Sequence, residues 1–159
     1  MSGLYLLYVS LQVATVLTVA FALWKGDWAT RAAAVAYAIL NTATFVFMPK
    51  VGDVSSETIL LALDFICAVT FLLLAVRYAN LWLGAAMIFQ AAQFSLHSYY
   101  LVMEIPHDRL HAWINNADDW GLLISMITGT VLAIRRRESV AREAAELEAM
   151  RQQRLSPAR

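Results

Sequence analysis

Five apolar runs dominate the sequence, and together they contain a single charged residue, Asp64. A run of roughly 17–25 predominantly apolar residues is long enough for a helix to cross a lipid bilayer. The runs lie at residues 4–24, 32–48, 58–76, 81–103 and 120–134. They predict an all-α fold, a polytopic membrane bundle of about five transmembrane helices.

The composition supports lipid as the solvent for these runs. Apolar residues make up 60% of the chain and charged residues 15%, whereas soluble domains carry roughly 25% charged residues. A soluble domain of 159 residues could not cover so much apolar surface with so few charges. The formal net charge of zero conceals a segregation of charge, with a balance of +3 in residues 135–159 and −3 in the rest of the chain. No nucleic-acid partner is expected.

Two further features concern the first run and the thiol chemistry. The first basic residue, Lys25, follows the first run, the reverse of a secretory signal peptide, so we expect a retained helix. Cys67 is the single cysteine, which excludes an intramolecular disulfide or a thiol relay.

The fifth run is the shortest, since 15 helical residues cover only about 22 Å against a hydrocarbon core of ~30 Å. It can span by drawing in Ala117 or by locally thinning the bilayer. A four-span arrangement with a re-entrant last segment is the alternative.

The distribution of basic residues predicts the orientation. With five spans, Lys25, Arg31, Arg77 and the arginines at 135–137 all fall on one side. The second and fourth loops are acidic on balance and fall on the other side. Because basic residues are enriched in cytoplasmic loops, we expect a multi-pass protein of the cell (inner or plasma) membrane with its N-terminus outside and its C-terminus in the cytoplasm.

Two flanking segments are predicted to be helical outside the bilayer. Residues 106–116 are amphipathic and suggest an interfacial helix in the outer loop. Residues 135–159 form a charged cytoplasmic tail with seven arginines and four glutamates, rich in helix-forming residues. The tail is either a solvated helix or a short coiled coil, and residues 138–155 are its candidate surface for a cytoplasmic partner or a second copy.

A polar layer is predicted inside the bundle. Counting inward from the outer end of each span places one polar side chain per helix about 8–12 Å below the outer surface. A charged side chain facing lipid costs on the order of 2.5–3.5 kcal/mol, so Asp64 should face the interior. The layer is either a proton, ion or ligand site or a set of hydrogen bonds that fixes helix packing. Its members are Gln12, Asn41, Asp64, Gln93 and Ser125.

The fourth span extends this layer outward. Spacings of three and four residues place a polar series on one helix face. It suggests a wet vestibule leading to Asp64, with His97 about one turn above it; the alternative is a polar packing seam between helices. The series is Gln90, Gln93, His97, Tyr100 and Glu104.

Two local patterns complete the candidates. His107 and His111 stand four residues apart and are weak metal-ligand candidates, since the glutamate of the metalloprotease motif is missing. Gly121, Ser125 and Gly129 form a small-xxx-small strip that favours close helix packing, within the chain or with a second copy.

The function predicted first is a non-enzymatic bundle that binds or conducts a proton, cation or small ligand, as a homo-oligomer or as part of a complex. A structural or accessory subunit of a larger membrane complex is the alternative. A membrane enzyme that acts on a lipid-borne substrate through Asp64, His97 and the outer-loop histidines His107 and His111 is the third. The sequence contains no catalytic motif. It also indicates no particular cofactor.

The predicted topology can be tested with reporter fusions along the chain. Fusions after Asp53 and Asn115 should report an extracytoplasmic location, and a fusion after Arg142 a cytoplasmic one, because the basic residues favour the cytoplasmic side. An extracytoplasmic signal at Arg142 would contradict the five-span arrangement.

Overall fold

The computed structural model describes residues 2–47 and 54–155, with the side chains of residues 6–44, 46 and 57–153. All regular secondary structure in these residues is helical, which confirms the all-α prediction. The second loop, with Lys50 and Asp53, lies outside the described residues. The five helices are α1 Ser2–Lys25, α2 Trp28–Phe47, α3 Val54–Tyr78, α4 Leu81–Val102 and α5 Arg109–Leu155. Three of them, α1, α3 and α5, are long and apolar enough to cross a membrane.

The helices pack in a closed ring. Each one packs on the next in chain order, and α5 returns to pack on α1. Two-residue links at 26–27 and 79–80 make α1 antiparallel to α2 and α3 antiparallel to α4. At the first link the Asp27 carboxylate accepts the backbone N–H of Thr30 at 2.9 Å and its hydroxyl at 2.7 Å. This contact satisfies free donors of the first turn of α2.

Helix α5 differs from the prediction. It runs without interruption for 47 residues, a length of about 70 Å. Residues 109–116 are therefore the first turns of α5, whereas an interfacial helix over 106–116 separate from a short fifth span was predicted. The polar residues around Asp118 resemble a loop in the sequence, but nothing between Arg109 and Leu155 breaks a helix: the segment contains no proline.

The two halves of the bundle are packed differently. The half that contains the α1–α2 and α3–α4 links is filled by buried side chains, the largest being Phe71, Leu83, Leu122, Leu123 and Met126. At this end Arg137 donates a 2.7 Å hydrogen bond to the carbonyl oxygen of Gly26 and so ties α5 to the first link. The opposite half, around the α4–α5 loop, encloses a polar cavity.

The small-residue strip on α5 packs within the chain. Gly121 lies against the ring of Phe89, and Gly129 lies against the ring of Trp82, both on α4. A Cβ atom added at Gly129 would come within 2.9 Å of a Trp82 ring atom. Because α4 already occupies the strip, the strip itself gives no support to an interface with a second copy.

Two glycine substitutions test this packing. Gly129→Ala should lower the free energy of unfolding by about 1–3 kcal/mol, because the Trp82 ring must shift. Gly84→Ala is the matched control, because an added Cβ there meets nothing within 4 Å, and it should raise that free energy by roughly 0.5–1 kcal/mol. Unfolding in detergent micelles measures both. Equal effects at the two positions would contradict the α4–α5 contact.

Candidate functional site

A cavity of about 400 Å³ lies between all five helices, within the ~300–1,000 Å³ range of small-molecule sites. Its wall mixes polar with apolar side chains. The polar, aromatic and thiol members are Tyr8, Gln12, Tyr37, Asn41, Thr44, Asp64, Cys67, Gln90, Gln93, His97, His107, His111, Asn115, Asn116 and Asp119. The apolar members are Leu11, Leu40, Leu60, Leu63 and Ala112.

The contact between Asp64 and His97 joins α3 to α4 across the cavity wall. One carboxylate oxygen of Asp64 is hydrogen-bonded to Nδ1 of His97. Asp64 is 8% exposed, in agreement with the expectation that it faces the interior. His97 contacts Asp64 directly, whereas the spacing along the fourth span predicts it about one turn above Asp64. The α3–α4 link is centred between residues 79 and 80. Residues at equal distances from this centre stand opposite each other, so the position on α4 opposite Asp64 lies between Gln93 and His97.

Most of the predicted polar layer lines this one cavity. Gln12, Asn41 and Gln93 join Asp64 there, from α1, α2, α4 and α3 respectively. The Gln93 side-chain amide donates to the Asn115 side-chain oxygen at 3.1 Å, which links α4 to α5. Gln90, one turn deeper on α4, also lines the cavity and is only 3% exposed.

Three predicted residues do not line the cavity. Ser125 is buried, but its hydroxyl donates to the Gly121 carbonyl oxygen of its own helix at 2.8 Å. Glu104 is exposed and follows the end of α4, with a φ of 53° that takes it off the predicted helix face. Tyr100 is buried beyond the cavity wall, and its hydroxyl donates to Asp108 Oδ1 at 2.9 Å.

The three histidines of the chain form a column at the outer part of the cavity. The His97 and His111 ring centroids are 5.1 Å apart, and those of His111 and His107 are 4.1 Å apart with nearly parallel planes. The Tyr100 ring meets His111 edge-on at 4.7 Å. The column leads from buried Asp64 to exposed His107.

Asp108 fixes the loop that carries this column. Its Oδ1 accepts the backbone N–H of His111 at 2.8 Å and the Tyr100 hydroxyl. These hydrogen bonds, the backbone one first, lower the pKa of the Asp108 carboxyl from its ordinary value. The carboxylate therefore stays charged at neutral pH and holds the first turn of α5 against α4.

The geometry gives no support to a metal at His107 and His111. Imidazole nitrogens bind a metal in the plane of the ring, and two stacked parallel rings do not direct their lone pairs at one ion. Within residues 2–47 and 54–155 there is also no group of three or more His, Cys, Asp and Glu side chains that could hold a metal ion.

The fifth span is expected to contribute Ser125 to the polar layer, whereas the residues of α5 found at the cavity include Asn115 and Asp119. Asp119 lines it and lies close enough to Asp64 and His97 to interact electrostatically with both. It had been assigned to the outer loop because the apolar run begins at Trp120. The four-residue spacing of His111, Asn115 and Asp119 would have placed them on one helix face.

Comparison with protein-family models, with curated proteins and with solved structures found no match. The function is therefore argued from the cavity itself.

A double-mutant cycle tests the contact between Asp64 and His97. Replacing either residue by Ala should lower the free energy of unfolding by about 1–3 kcal/mol, because the other is left unpaired and largely buried. The double variant should lower the free energy of unfolding by less than the sum of the two single losses, with a coupling energy of roughly 0.5–3 kcal/mol. The same cycle between Asp64 and His107 is the control and should give less coupling. Additive costs for Asp64 and His97 would show that the contact is not formed.

Proposed function

We propose that this chain is a small integral membrane protein whose polar cavity binds a small ligand or cation. One observation carries the proposal: Gln12, Asn41, Asp64, Gln93 and His97, from four helices of an otherwise apolar bundle, line one cavity. Polar side chains in a bilayer are costly and usually serve a site or a pathway.

The outer surface of the bundle supports a location in the membrane. Large apolar side chains lie exposed along it, among them Trp24, Val76 and Leu81, which are 72%, 75% and 94% exposed. Contiguous apolar surface of this kind marks contact with lipid or a partner. Helices α2 and α4 are not among the three helices that length and apolar composition single out as spans, but they complete the same ring and turn Asn41, Gln93 and His97 inward. All five helices are therefore proposed to cross the bilayer.

The proposed orientation places the cavity toward the outside. Arg137 and Gly26 lie at the filled end, and the basic residues of that end favour the cytoplasm. The cavity lies at the other end, near His107 and the α4–α5 loop. In the cell membrane its mouth would face out of the cell.

Binding is favoured over conduction by the filled half of the bundle. Phe71, Leu123 and Met126 are fully buried below the cavity, and the buried polar side chains described in that half are uncharged threonines, Thr15, Thr18, Thr30 and Thr130. An ion crossing the protein would lose its hydration there without a charged side chain to compensate. A binding pocket with one mouth fits this geometry better than a pore.

An accessory role is the second candidate, and the last part of α5 favours it. Residues 135–153 are exposed throughout, including Val140, Leu147 and Met150. A helix with this apolar stripe suits pairing with a cytoplasmic partner or a second copy, through residues 138–155. In that case the polar cavity would serve only to fix the helices.

Cys67 provides a test of ligand binding, because it is the only cysteine and lines the cavity. In reconstituted vesicles, a small membrane-impermeant thiol reagent should modify it from the cavity side. At least one member of a library of small cations, anions and neutral amphiphiles should slow that reaction several-fold. Asp64→Asn should abolish the protection, whereas Asp118→Asn, the same change of charge outside the cavity wall, should preserve it.

Two results would contradict ligand binding. The first is a Cys67, 4% exposed, that reacts from neither side even at alkaline pH, where thiols ionise, since the cavity would then be closed to solutes. The second is a reactive Cys67 that no compound protects, while the tail captures a defined partner equally well in the wild type and Asp64→Asn. The chain would then be an accessory subunit.

A further inference from the structure

The charges of the cavity wall identify the kind of ligand. Within the described residues, the wall carries two carboxylates and neither lysine nor arginine. Asp64 is already engaged by His97. Asp119 has the Gln93 amide beside it, which donates a hydrogen bond but adds no positive charge. Burial disfavours the charged form of this carboxyl, and a cation bound beside it would hold it ionised. The wall is therefore complementary to one positive charge at Asp119.

The size and composition of the cavity argue against a bare ion. Its volume of about 400 Å³ far exceeds the ~30 Å³ share of one water molecule. No group of three or more candidate metal ligands exists in the described part of the chain. Four leucines form much of the remaining wall. A ligand that fills this space has an apolar body as well as a charge.

His111 indicates a second polar contact. It lines the cavity, is 8% exposed, and its Nε2 has no hydrogen-bond partner within the described residues. A buried nitrogen without a partner is costly, and a ligand group that bonds to it removes that cost. Tyr8 and Tyr37 also line the cavity.

We propose that the cavity binds a small organic ammonium ion, with its charged nitrogen at Asp119, its apolar body against the leucines, and a hydrogen-bonding group at His111. This inference rests on the proposed ligand-binding function and specifies its ligand class. The ammonium nitrogen supplies the charge that the wall lacks, and the apolar body distinguishes the ligand from a hydrated metal ion.

Three probes of nearly equal shape test the charge. They are 2-phenylethylammonium, the neutral 2-phenylethanol and the anion phenylacetate, each used to protect Cys67 in the purified full-length protein from a neutral thiol reagent. The ammonium probe should protect at roughly 10- to 100-fold lower concentration than the other two, because a hydrogen bond to a charged partner is the stronger kind. Asp119→Asn should remove this preference, and Asp118→Asn should retain it.

The outcomes separate this inference from the proposed function. Equal protection by all three probes would overturn the assignment to ammonium ions and leave ligand binding intact. Preferential protection by the anion, or by no probe at all, would also overturn the assignment, and the wider library then decides the function. Because the comparison of probes uses the wild-type protein, it holds even if Asp119→Asn fails to fold.

Discussion

The pairing of Asp64 with His97 is the constraint on which the rest of this bundle depends. A carboxylate removed from water needs a partner. Removing one member of a buried pair is more destabilising than replacing both by apolar residues, because the other member is left without a partner. The contact fixes the rotation of α3 against α4. Those two helices then set the wall to which α1, α2 and α5 add their own polar side chains. A cavity in an apolar bundle thus follows from the need to satisfy one acid.

Much of the helical architecture followed from hydropathy alone. The third apolar run was predicted at residues 58–76, and α3 spans Val54–Tyr78. The difference arises because helices continue past the apolar stretch into polar residues that still satisfy their backbone hydrogen bonds. The inward direction of Asp64 also followed, because the cost of a charge facing lipid leaves it only one side of the helix.

The members of the cavity wall were harder to predict, since counting residues gives depth along a helix and says nothing of rotation about its axis. Ser125 lies deeper than predicted, because Gly121 and Gly129 on either side of it pack against Phe89 and Trp82, which are deeper on α4 than Gln93; it therefore lies outside the cavity wall. Asp119 has the required rotation and was missed because a polar turn within a helix lowers local hydropathy as a loop does. Only tertiary packing distinguishes a polar turn within a helix from a loop, and packing depends on residues far away in sequence.

Helix α5 contains two regions that are usually separate, the wall of a cavity and an exposed charged arm. His111 and Asp119 lie near its start, and an unbroken helix connects them to Leu155. A straight helix resists twisting and bending, so its two ends cannot rotate independently. At the boundary of the bundle Arg137 holds it to the Gly26 carbonyl. The residues of the cavity wall and those of the charged arm therefore belong to one continuous helix, so a displacement of α5 at the cavity bears on the position of the arm.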